Sequence, residues 1–331
     1  MKIKVNKLIV MSSVLLLLNA CGGSSSSDTT SDSNTTFSTS QGKGTTTTTN
    51  LYSAGQRVAA LGTITSTDSK TWAMPAQVNY EESTFPFASD LYNPDGNKYS
   101  DATTALAALD GSDIVTIDSD GEIITAFVFA DNYFEMYING TQVGKDTIPF
   151  TSFNSNIVRF KVKKPFTIAM LLVDWEENLG LGSEAQALAY HPGDGGMVAV
   201  FKDSDENIIS VTDSTWKAQT YYTSPIQDLT CFSESGSTRN SSSCTTADSD
   251  DGTSYYGLHW ERPSDWTSES YDDSDWPSAS TYTNDTIGVD NKESYTNFTD
   301  IFDNSSNDAQ FIWSSNVILD NEVLVRKVVA E

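Results

Sequence analysis

The sequence has 331 residues, 45 of them Asp or Glu against 19 Lys or Arg, for a formal net charge of −26. A surface that acidic repels nucleic acid and anionic lipid headgroups, which makes both poor partners. With two histidines, no Gly-x-Ser-x-Gly elbow, no phosphate-cradling glycine loop and no His-Glu-x-x-His pair, the chain also offers little to nucleophilic, phosphoryl-transfer or metalloprotease chemistry.

Lys2, Lys4 and Lys7 precede an apolar stretch, Leu8 to Leu18, of signal-peptide length and too short to span a bilayer. It ends in Leu18-Asn19-Ala20-Cys21, which resembles the lipobox of bacterial lipoprotein signals. The resemblance implies that residues 1–20 are removed and that Cys21 becomes a lipidated first residue. With Gly22 where Asp would mark inner-membrane retention, it also implies an outer-membrane lipoprotein facing the periplasm or the cell surface. Each buried methylene contributes about 0.8 kcal/mol, so several acyl chains on Cys21 hold the protein firmly to a membrane. Loss of the three leader lysines takes the net charge from −26 to −29. Residues 22–50 contain 18 Ser or Thr among 29, with Phe37 the one aromatic. No core can be built from that composition, so 21–50 reads as lipidated cysteine and flexible tether, spanning on the order of 30 Å.

Residues 51–331 are long enough for one elaborated β domain or two small ones. Strand signals recur at Val58–Ile64, Ile114–Ile117, Ile123–Phe129, Tyr133–Ile138, Ile157–Val162, Phe166–Val173, Met197–Phe201, Ile208–Val211, Phe311–Leu319 and Val323–Val329, separated by Gly, Asn, Asp and Pro clusters. Asn139-Gly140, directly after an alternating run, predicts a two-residue hairpin turn, which needs positive φ at both central positions. Only Ala102–Leu109 reads as helix. The fold class is therefore all-β, an antiparallel β sandwich of the jelly-roll kind with little helix.

Several stations along this chain invite chemistry. Asp90, Asn93 and Asp95 around Gly96, and Asp118 and Asp120 around Gly121, can each turn oxygens inward as a structural Ca2+ requires; the same residues also suit solvated Asx turns. Asp174 with Glu176 or Glu177 is the best carboxylate pair for glycoside hydrolysis, which needs two acids facing one bond. Cys231 and Cys244 remain as an even pair flanking a Ser/Gly/Asn-rich loop in an exported chain, which predicts a disulfide contributing about 3 kcal/mol. Sugar binding needs aromatic platforms beside amide and carboxylate partners. Trp175 beside Glu176, Glu177 and Asn178, Tyr190-His191, and Trp260 with Trp266 are the loop-placed residues that fit.

Ala130-Asp131-Asn132-Tyr133-Phe134-Glu135-Met136-Tyr137-Ile138-Asn139-Gly140 with Val143-Gly144 resembles the strand–turn–strand of galactose-binding-like jelly rolls that accompany glycoside hydrolases. Thr212-Asp213-Ser214-Thr215-Trp216-Lys217 and Tyr271-Asp272-Asp273-Ser274-Asp275-Trp276 resemble paired Asp/Trp elements of accessory β domains in bacterial α-L-rhamnosidases and related enzymes, with Trp216 and Trp276 as core packing. The resemblance covers roughly 130–276. It implies a carbohydrate-binding or scaffolding module without a catalytic partner. The first expectation is a non-catalytic, surface-anchored sugar-binding protein; the others are a protein-interaction module of an outer-membrane assembly and a glycan-cleaving enzyme using the Asp174/Glu176 region.

Overall fold

The computed structural model describes residues 36–181, 192–246, 252–304 and 307–331. Two large sheets dominate. The first has seven antiparallel strands in the order Ser38–Gln41, Tyr256–His259, Lys217–Ile226, Asp320–Val329, Phe166–Val173, Tyr133–Ile138 and Thr141–Lys145. The second runs Ser280–Tyr282, Phe311–Trp313, Gly196–Lys202, Glu122–Asp131, Ser155–Val162 and Ser89–Tyr92, with Ile208–Val211 and the parallel Val115–Thr116 joined at its sides. Helix is confined to single turns and the short Ala102–Ala107 segment, which Asp101 caps by accepting from the Thr104 N–H at 2.8 Å. Thr36–Glu331 forms one unit.

Strand alternation explains how the layers stack. In Phe166–Val173, Ile168, Met170 and Leu172 face the second sheet and join Phe127, Phe129, Val198, Val200, Val323 and Val325 in the main core. Ala169, Leu171 and Val173 face the other way into a second cluster. That cluster is an aromatic layer, with Phe85, Tyr133, Trp175, Trp260, Trp266 and Trp276 among its members. The first sheet is thus buried on both faces, which is why its central strand reads as an unbroken apolar run rather than an alternating one.

The Asn139-Gly140 turn is present, with φ of 48° and 82° joining the paired Ile138 and Thr141. The Cys231–Cys244 disulfide is also formed, with Cα atoms 4.9 Å apart. It ties down the Ser233–Ser235/Thr238–Asn240 hairpin over the aromatic layer. Three expectations shift. Residues 36–50, read as tether, already belong to the sheets: Ser38–Gln41 pairs with Tyr256–His259, and Thr45–Thr48 with Leu61–Thr65. Threonine favours extended backbone, so a Thr-rich run suits an edge strand once a partner is available. Lys217–Ile226, a ten-residue strand, carries no strong apolar signal because polar residues flank its adjacent Tyr221 and Tyr222 and it holds Pro225 near its end. Phe311–Leu319 is a strand only as far as Trp313, after which the chain turns before Asp320–Val329.

Candidate functional site

The aromatic residues expected as open sugar platforms are placed otherwise. Trp175 is 1% exposed and meets Tyr133 edge-on at 6.0 Å, because it shares its parity with Leu171 and Val173 and so turns into the aromatic layer. Trp260 is 3% exposed, donates from Nε1 to Glu234 Oε1 at 3.1 Å, and lies under the Arg239 guanidinium at 4.5 Å. Trp266 is buried in the same layer, as are Trp276 and, in the main core, Trp216. Glu176 is buried and accepts the Gly193 N–H. Glu177 and Asn178 lie in a tight turn where Asn178 and Leu179 take φ of 52° and 63°. Tyr190 and His191 lie outside the described residues.

In the loops expected to hold Ca2+, the carboxylates are engaged with protein donors. Asp90 accepts from Asn93 Nδ2 at 2.9 Å and from the Asn97 N–H and Nδ2, both at 3.0 Å; Asn93 Oδ1 accepts the Asp95 N–H at 2.9 Å. Asp118 accepts the Lys163 N–H at 2.9 Å, and Asp120 pairs with Lys163 Nζ at 2.6 Å. These oxygens close Asx turns and an ion pair. Among the described residues, no group of three or more His, Cys, Asp or Glu side chains is arranged to hold a metal.

Two clefts remain as candidate sites. The larger, about 570 Å3, is lined by Asp131, Asp174 and Asp194 together with Tyr92, Phe153 and Lys292. It contains the expected carboxylate Asp174. Glu176, bound to the Gly193 N–H, does not line it beside Asp174, so the structure does not bring that pair to one bond.

The second cleft, about 480 Å3, has Trp72 in its wall with Lys70, Gln77, Glu261, Arg262 and Glu322 around it, and Trp260 at its edge. Trp72 is positioned by a hairpin in which it pairs across from Ile64, with Ser69 in the turn at φ 69°. Its Nε1 donates to Ser66 Oγ at 2.9 Å, leaving the indole half-buried. Behind it stands a column of rings: His259 stacks on Trp72 at 5.3 Å and 14°, and Tyr222 stacks on His259 at 4.8 Å and 16°. Burial lowers the His259 imidazole to about 3, so it is neutral in the column and shares a 2.7 Å hydrogen bond with Ser40. Lys70 pairs with Glu261 at 3.0 Å, Arg262 with Glu322 at 3.1 Å, and Arg262 Nη2 donates to the Gln77 carbonyl at 2.9 Å. With Lys70 Nζ 5.7 Å from its ring centre and amide, carboxylate and guanidinium groups around it, the half-buried indole combines an apolar ring with ring-edge hydrogen-bond partners.

Trp72 escaped the sequence reading, which looked for aromatics beside acidic loops. The available signal was a tryptophan just after a tight turn, Asp68-Ser69-Lys70, in the short strand Thr71–Met74. Neither family models, nor curated proteins, nor solved structures give a match to this chain.

Proposed function

We propose that the protein is an outer-membrane lipoprotein whose β sandwich, of galactose-binding-like jelly-roll kind, binds carbohydrate in the Trp72 cleft. The observation that carries this reading is the Tyr222–His259–Trp72 column. Two stacked rings, His259 and Tyr222, hold one half-buried indole in a fixed plane beside four charged side chains and Gln77. A pyranose presents just that combination of an apolar face and a polar edge, and a preorganised platform lowers the ordering cost of binding. The ions in the cleft are already paired with each other, so they serve as oriented hydrogen-bond groups for hydroxyls rather than as a site for a charged ligand. No covalent chemistry is assigned.

The test is calorimetric titration of the full-length chain with neutral oligosaccharides, comparing wild type with Trp72→Ala. Loss of the platform should weaken binding at least tenfold, about 1.4 kcal/mol. Equal affinity in the variant would remove Trp72 from the site.

A further inference from the structure

The hairpin strands Tyr133–Ile138 and Thr141–Lys145 bring Glu135 and Lys145 into register, and both side chains are fully buried. Within the sheet Glu135 accepts from the Tyr133 and Tyr137 hydroxyls of its own strand at 3.2 and 2.7 Å, and both charges also reach beyond the sheet. Lys145 Nζ donates to the carbonyls of Asn79, Tyr80 and Glu82 at 2.8, 2.6 and 2.8 Å. Glu135 accepts from the Asn79 N–H and from Asn79 Nδ2, the latter at 2.9 Å. Buried charges are a poor source of stability compared with apolar packing, and their attested use is to fix one conformation. What these two charges fix is the Gln77–Phe87 segment, whose far end is held by the Lys145 N–H to the Pro86 carbonyl and the Ala88 N–H to the Lys145 carbonyl.

That segment presents Phe87, 49% exposed and the one aromatic among the large exposed apolar side chains of the described residues. Tyr80 braces it edge-on at 5.3 Å, and Lys145 Nζ sits 4.5 Å from the ring centre. Hollows follow one another along the segment. Gln77 borders the Trp72 cleft, a hollow of about 240 Å3 spans Val78–Glu82, and one of about 420 Å3 reaches Phe87. The ten residue steps from Gln77 to Phe87 bound the separation of the two ends at roughly 35 Å.

We propose that Phe87 is a second sugar station and that the ligand is a neutral glycan chain running from the Trp72 indole along the Gln77–Phe87 segment. The inference rests on the sugar reading of the Trp72 cleft and adds to it the length and charge of the ligand. Glu81 and Glu82, both exposed, flank the Phe87 hollow, and the whole chain carries −26. Sulfated or carboxylated chains are therefore repelled on approach and along the track. A rigidly held, solvent-facing aromatic ring on a charge-clamped loop is what a linear polymer needs at its second contact, since two stations on one chain raise the effective concentration of the second binding event.

The deciding experiment titrates full-length wild type, Phe87→Ala and Phe87→Trp with homologous series of cello-, laminari-, manno- and galacto-oligosaccharides, from disaccharide to octasaccharide, and with a sulfated galactan. Wild-type affinity for one neutral series should rise at least tenfold with chain length. Phe87→Ala, an exposed substitution that leaves the core untouched, should abolish that rise while keeping disaccharide affinity, and Phe87→Trp should restore it. Wild-type binding with no length dependence, an unchanged rise in Phe87→Ala, or a preference for the sulfated chain would overturn the second station while leaving the Trp72 site standing. Binding of no probe by the wild type would overturn the sugar reading itself, and this inference with it.

Discussion

Two buried titrating groups pull the pH dependence of stability in opposite directions. Asp146 lies in the core beside Asn154, its Oδ1 accepting from Asn154 Nδ2 at 2.7 Å and the Ile148 N–H at 2.9 Å, while Oδ2 has no hydrogen-bond partner. Burial raises its carboxyl from 3.8 to about 7. The folded state therefore binds more protons than the unfolded one between those values, and stability from this group is present at low pH and lost as pH rises toward 7. His259 has the opposite sign: its folded value of about 3 lies below the unfolded 6.5, so its contribution is present above 6.5 and lost as pH falls toward 3. Asp146→Asn keeps the Oδ1 acceptor and removes the ionisation. It should raise unfolding free energy at pH 8 by up to about 4 kcal/mol, with the advantage shrinking to nothing near pH 4. Denaturant titrations of both proteins at the two pH values check it; a pH-independent difference would show that Asp146 does not titrate in this range. None of this was legible in the sequence, where Asp146 is one acid among many. The burial of Trp175 and Trp266 was not legible for a related reason: exposure depends on which face of a two-sided sheet a residue meets, and the aromatic layer that covers them comes from distant segments.

At the scale of elements, the apolar strands, the Asn139-Gly140 hairpin and the Cys231–Cys244 loop were readable because each rests on local pattern or on parity of cysteines. Ser38–Gln41 was not, since Ser-Thr-Ser-Gln has no apolar periodicity and becomes a strand only through pairing with Tyr256–His259. That pairing has a measurable consequence. Ser40 contacts His259, and Ser38 donates to Asp68 at 2.7 Å in the turn that leads to Trp72. A chain starting at residue 51 lacks these contacts and exposes the Tyr256–His259 edge. It should unfold at a lower temperature than one starting at residue 22, and it should lose affinity at the Trp72 cleft. Equal melting temperatures in calorimetry would show that residues 36–50 only decorate the sandwich. The same dependence accounts for the missed candidate site: the Trp72 platform is assembled from segments around residues 40, 72, 222 and 259, and no window of sequence contains it.

For the whole molecule, the charge and the anchor make one physical argument. A body this acidic is repelled by an anionic headgroup surface, with little attraction of its own to hold it there. In the proposed lipoprotein, acyl chains on Cys21 would supply what the surface lacks, because they bind through apolar burial that does not depend on charge. On that proposal, a body this acidic would meet neutral polymers without electrostatic steering. Anchoring and charge are separable by experiment. In cells expressing Cys21→Ser, radiolabelled palmitate should no longer be incorporated into the protein, and the chain should move from the membrane to the soluble fraction at both low and high salt. Wild type should stay with the membrane across the same salt range, since apolar anchoring is insensitive to screening. Release of wild type by salt, or membrane retention of Cys21→Ser, would transfer the anchoring role from the lipid to the protein surface.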